Sequence, residues 1–214
     1  MGDKGRGEQV KALEERTSKF KENLAHFFSL IFHPSAVALY LFTSAFFLTP
    51  GELIPKLICA LAAIFFSAVA PGVIVLGLLK LGFLSDADIS NRAERVKPYI
   101  LITLFYFIGS LLLLRFPPHP LNRVFGTLMS CYATVTLVGT IITYFWKISM
   151  HLAGLAGPLT AAIFFWKLPA VPFILSLLPL SWARLYLRKH NAWQVLAGIT
   201  MSSTITFLTC YLLT

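Results

Sequence analysis

From residue 35 onward the chain is a succession of apolar runs parted by short polar connections. A helix needs about 20 predominantly apolar residues to cross the hydrocarbon core of a bilayer, fewer where snorkelling side chains bound it. Candidate runs lie at 35–50, 56–83, 98–116, 121–146, 151–167, 168–187 and 192–213. Those at 151–167 and 168–187 are short and broken by Pro158, Pro169, Pro172 and Pro179. Proline is tolerated at membrane depth where neighbours re-satisfy the freed carbonyls, so these two runs belong inside the bundle. The expected fold is therefore all-α: a polytopic transmembrane bundle of six to seven spanning helices.

Composition agrees. Hydrophobic residues make up 57% of the chain and charged ones 13%, against about 25% charged in an ordinary soluble domain. With 19 Phe, 7 Tyr and 4 Trp the chain also has rings to spare for interfacial belts. The net charge of +9 sits at the ends of apolar runs rather than in one block, which speaks against a nucleic-acid partner. Cys59, Cys131 and Cys210 fall inside apolar stretches with no ligand spacing. They read as packed core residues, with no disulfide framework, no metal site and no cofactor implied.

Residues 1–33 differ from residues 34–214. The first 23 are polar and mixed in charge, unlike a cleavable signal peptide. Val10, Leu13, Phe20 and Leu24 among Lys4, Arg6, Lys11 and their neighbours fit a partly amphipathic helix on a membrane surface, leading into Phe27–Phe32. His26 and His33 read as interfacial residues, and Pro34 suits the first turn of the next helix.

Alternating the crossings brings the N-terminal segment and the connections 84–97, 147–151 and 184–191 to one side. Fourteen of the 18 Lys and Arg lie there; Lys56, Arg115, Arg123 and Lys167 lie on the other. The positive-inside rule puts the richer side in the cytoplasm. The expected place is a bacterial cytoplasmic membrane with a cytoplasmic N-terminus.

Three stretches on that side carry the unusual residues. The first is Asp86-Ala-Asp88-Ile-Ser-Asn-Arg92-Ala-Glu-Arg95-Val-Lys97-Pro98, in which Arg92 and Arg95 would share a helix face and grip one anion. The second, Lys147-Ile-Ser149-Met-His151 followed by Gly154 and Gly157, opens a Gly/Ala-rich helix with a hydroxyl and an imidazole. The third runs from Arg184 to His190 and Gln194. Ionisable groups at membrane depth are costly and mark function. Cations that hold an oxyanion, an imidazole that attacks and another that protonates the leaving group make a phosphate site.

Ser149-x-His151 followed by Arg184-x5-His190 resembles the second and third signatures of the type 2 phosphatidic acid phosphatase family, which includes the vanadium haloperoxidases. The resemblance covers roughly residues 86–200. It implies a helical bundle and metal-independent phosphate ester hydrolysis through a phosphohistidine. It makes His190 the nucleophile and His151 the general acid. Arg184 and Ser149 would hold phosphoryl oxygens, with Arg92, Arg95 and Lys97 standing in for the first signature.

The sequence departs from the family pattern in places. The K-x6-R-P spacing is absent, with Ser90 seven positions before Lys97. Ile148 and Met150 replace Pro and Gly, and Ala183 replaces Ser. Gln194 stands where an Asp should orient the nucleophile. In the serine-protease triad the comparable change lowers turnover about 10⁴-fold.

Three readings follow. The first is a phosphatase for a lipid or isoprenoid (di)phosphate. The second is a binder of phosphorylated lipids that has lost turnover. The third is an intramembrane prenyltransferase using Asp86 and Asp88, for which no second acidic motif is present.

Overall fold

The computed structural model describes the side chains of residues 13–167 and 169–214, and helical backbone from residue 2. Of the amphipathic positions named above, Lys4, Arg6, Val10 and Lys11 lie outside the described side chains. The described residues are all-α, with eight helices and no strand. These are α1 (Gly2–Ile31), α2 (Pro34–Leu48), α3 (Leu53–Lys80), α4 (Val96–Arg115), α5 (Leu121–Phe145), α6 (Met150–Trp166), α7 (Leu177–Tyr186) and α8 (Ala192–Leu213). A 3₁₀ stretch, Leu168–Ser176, precedes α7.

Four of these, α3, α4, α5 and α8, are long and apolar enough to cross a membrane; Leu13–Ile31 with α2 would make a fifth, bent by 46°. The expected six to seven therefore includes segments that are not single full-length helices. The run at 168–187 is the clearest departure. Pro169 and Pro172 each remove a backbone donor, and the chain takes the tighter 3₁₀ form before α7 begins. At about 2.0 Å per 3₁₀ residue and 1.5 Å per α residue, the contour of 168–186 is still about 33 Å.

The helices close on one another through small residues. In α3 a π turn at Phe65–Val69 precedes Pro71, which cannot donate to the Ser67 carbonyl four residues back. The Tyr106 hydroxyl of α4 donates to that carbonyl instead, at 3.4 Å. Gly109 lies against Phe66 and Gly126 against Leu114, and Ser110 meets Ser130 at 2.6 Å between α4 and α5. Of its most apolar window α5 buries 72%, against 33–44% for the other long helices, so it is the central one.

Two contacts position the polar end. Gly198 of α8 packs so tightly on α6 that a methyl there would come within 2.5 Å of the Ser149 carbonyl oxygen. Ser202 of α8 donates to the Ala153 carbonyl of α6 at 2.7 Å. On the opposite flank α1 docks along α7, with Phe28 edge-on to Trp182 and the Tyr186 hydroxyl donating to the Ser18 carbonyl. Leu13 and Phe20 remain exposed, so α1 keeps an outward apolar face.

Candidate active site

The three polar connections do meet. Arg95 is 2% exposed and ties two of them together: its Nε donates to the Ile89 carbonyl at 2.6 Å and its Nη1 to the Ile148 carbonyl at 3.1 Å. Ser149 N–H donates to the Gln194 carbonyl at 3.2 Å, and Lys189 Nζ donates to Ser90 Oγ at 2.8 Å. Arg184, from the last turn of α7, reaches the loop at Asp88 with Nη1 to Oδ2 at 3.0 Å and is also 3.4 Å from Ser29 Oγ of α1.

Local chain geometry presents His190. The end of α7 turns through Arg188 at φ +53°, and the N–H groups of Lys189 and His190 both return to the Arg184 carbonyl. This left-handed step closes the helix and throws the chain back. Asn191 then caps α8 in a reciprocal box: Gln194 N–H donates to its side chain at 3.0 Å, and Asn191 N–H donates to Gln194 Oε1 at 3.2 Å. That second bond identifies the Gln194 oxygen.

The same oxygen lies 3.1 Å from His190 Nδ1. An amide oxygen only accepts, so Nδ1 carries the proton and Nε2 keeps its lone pair. Burial, followed by the charges of Arg95, Arg184 and Lys147, pushes the His190 imidazole down to about 3. Its ring is neutral at physiological pH, as a nucleophile must be.

Ser149 and His151 open α6 and are buried, 0% and 7% exposed. Ser149 Oγ, His151 Nε2 and Arg184 Nε are all buried with no hydrogen-bond partner among the described residues. Leaving such a group unpaired costs about 1–3 kcal/mol; Thr49, Thr127, Tyr132, Thr143 and Thr206 carry the other such atoms among the described residues.

The other expected phosphate ligands are arranged differently. Arg92 and Arg95 do not grip one anion: they flank a single 3₁₀ turn, and Arg92 is exposed with its Nη1 on the Tyr144 carbonyl at the end of α5. Arg95 is buried as the clamp described above. Lys97 is exposed.

Two further residues, Asp88 and His33, belong to the cluster. Asp88 is the carboxylate at the centre of the cluster, with Oδ2 on Arg184 and Oδ1 3.9 Å from His151 Nε2. Burial pushes its carboxyl up, and His151 and Arg184 beside it more than offset that, holding it below the ordinary range. Four acidic residues follow residue 23, and three of them, Asp86, Asp88 and Glu94, share this one loop; that crowding is the signal the sequence offered. His33 is not simply interfacial, because its ring stands edge-on to His151 at 5.3 Å.

His33, Asp88 and His151 offer ligand atoms within 4.8 Å of one another, a spacing a metal ion would accept. His33 Nδ1 already accepts from Ser35 N–H at 3.3 Å, which leaves the proton on Nε2 and makes that atom a donor. In this tautomer His33 Nε2 has no lone pair to offer a cation, and Asp88 is the one anionic member of the trio. Asp86 accepts from Ser90 N–H and Oγ and is not part of that trio.

Below this cluster a cavity of about 280 Å³ runs into the bundle. Its walls include Leu76, Ile102, Leu128, Val135 and Ala161, while His33, Asp88 and His151 also line it. The chamber reaches the cluster at His33, Asp88 and His151, whereas Ser149, Arg184 and His190 are not among its lining residues. No protein-family model, no curated protein and no solved structure matches the chain.

Proposed function

We propose that this protein is an integral membrane phosphatase, related to the type 2 phosphatidic acid phosphatases, acting on a lipid or isoprenoid phosphate or diphosphate at the cytoplasmic leaflet of a bacterial inner membrane. The observation that carries the reading is the set of buried, unpartnered polar atoms Ser149 Oγ, His151 Nε2 and Arg184 Nε on the same connections that present His190, whose Nδ1 is held by Gln194. Phosphoryl oxygens would satisfy the serine hydroxyl and the guanidinium together. The apolar cavity suits the substrate's hydrocarbon tail.

In this mechanism His190 Nε2 attacks phosphorus and the bond to the leaving alkoxide or phosphate oxygen breaks. The leaving oxygen takes the electron pair, and His151 gives it a proton. Water then attacks the phosphohistidine, the P–N bond breaks back to His190, and His151 accepts the water's proton. The Gln194 oxygen holds the His190 ring in the attacking tautomer throughout. The fourteen-to-four asymmetry of Lys and Arg supports the cytoplasmic placement.

The test is phosphate release from phosphatidate and from farnesyl diphosphate by purified protein in EDTA. Wild type is expected to release phosphate and His190→Ala to fall to background. Equal rates for the two would end the phosphohistidine mechanism. The second reading, a lipid-phosphate binder without turnover, is favoured by one observation: the group at His190 Nδ1 is an amide rather than a carboxylate.

A further inference from the structure

The Arg184–Asp88 pair sits awkwardly with any anionic substrate. Arg184 is 1% exposed, and its Nη1 is committed to Asp88 Oδ2 at 3.0 Å, while Oδ1 faces His151 Nε2 at 3.9 Å. A carboxylate lying between a guanidinium and an imidazole has the charge and spacing of two phosphoryl oxygens. A phosphate cannot take the same donors while Asp88 holds them, and two anions side by side repel.

The segment bearing Asp88 is irregular chain, anchored on either side of Asp88 by the buried Leu84 and Ile89. Residues 81–91 form turns and irregular chain between α3 and the 3₁₀ turn at Arg92–Glu94. Besides Arg184 on Asp88, the loop's polar contacts are Lys189 Nζ on Ser90 Oγ at 2.8 Å, Ser90 N–H and Oγ on Asp86, Ile89 N–H on the Asp86 carbonyl, Arg95 on the Ile89 carbonyl, and Ser85 N–H and Oγ on Glu94. Ile89, next to Asp88, sits at φ +48°, where a β-branched residue is strained. The Asp88 side chain is 34% exposed, so it has a path outward.

We propose that Asp88 is an internal stand-in for the substrate phosphate, holding Arg184 in the resting protein and swinging its side chain outward when phosphoryl oxygens arrive. This rests on the phosphate-site reading above. The loop then sets the affinity and selectivity of the site: a monoanionic head that competes poorly with Asp88 is rejected, and a phosphomonoester or diphosphate dianion displaces it.

The experiment measures inorganic phosphate binding by calorimetry on the full chain in detergent at low ionic strength, with fold checked by circular dichroism. Asp88→Asn keeps the shape and removes the charge, and is expected to bind phosphate about tenfold more tightly than wild type. Ser90→Ala keeps Asp88 and removes both the Lys189 tether and the hydroxyl bond to Asp86, and is expected to bind several-fold more tightly. It decides the matter alone if Asp88→Asn does not fold. Arg184→Gln should abolish binding in every background. Arg184-dependent binding that neither loop variant tightens overturns the role of Asp88 and leaves the phosphate site standing. Binding that is absent, or indifferent to Arg184, overturns both.

Discussion

His190 Nδ1 lies 3.1 Å from Gln194 Oε1, and the Asn191 N–H donates to the same oxygen. The cap of α8 and the orientation of the proposed nucleophile are thus one structure. An amide here fixes the ring without supplying the negative charge that stabilises an imidazolium.

Gln194→Glu, isosteric with the native side chain, is expected to raise phosphate release about tenfold or more, because the carboxylate keeps both bonds and stabilises the charged ring. Gln194→Asp, shorter but the family's residue, should act in the same direction. Gln194→Leu removes the acceptor and should cost about 10²-fold or more. Steady-state phosphate release decides it; a Glu or Asp variant as inert as wild type would favour the binder.

Acid should weaken the fold through His190. Its folded value is about 3 against an unfolded value near 6.5, so between those limits the unfolded chain binds the extra proton. Stability is then full above about pH 6.5 and falls as pH drops toward 3. Thermal midpoints in detergent should decline less steeply with acidification for His190→Gln than for wild type. For the same reason kcat/KM should show no acid limb from His190 between pH 5 and 8.

The α6–α8 contact should tolerate no added methyl. Gly198→Ala brings Cβ within 2.5 Å of the Ser149 carbonyl oxygen, a backbone atom that cannot swing away. Overpacking of this kind costs about 1–3 kcal/mol, and displacement of Ser149 should lower phosphate release with it. Gly77→Ala, with nothing within 4 Å, is the matched control and should be neutral or slightly stabilising in the same thermal assay.

Arg95 is expected to resist conservative replacement. Lysine has one ammonium where the guanidinium spans the Ile89 and Ile148 carbonyls from two nitrogens. Arg95→Lys should lower the thermal midpoint by an amount matching about 1–3 kcal/mol and weaken phosphate binding, whereas Arg92→Lys, on the exposed surface, should change neither appreciably.

Much of the architecture was legible in the one-dimensional pattern. Apolar runs of bilayer length dictate helices, because only a helix or a closed barrel satisfies every backbone group in lipid. The order of those runs puts residues 84–97, 147–151 and 184–191 at one end, and the bonds among Ser90, Lys189, Ser149, Gln194 and Arg95 bring those connections together. Pro34 opens α2 as its place suggested. The prolines at 169 and 172 announced a broken helix without saying what form the break would take.

The sequence by itself determined that this is a helical membrane protein and which polar residues share its one end. Only the tertiary structure decided what each of them does there. Arg92 and Arg95 are three apart in sequence yet part company, because one buried fork serves two backbone carbonyls and the other faces outward. Asp88 and Arg184 are 96 residues apart and meet at 3.0 Å. Helical periodicity governs neighbours within a few residues. A buried guanidinium instead takes whatever acceptor the packing of α1, α6 and α7 brings within reach, and that is a property of the assembled bundle.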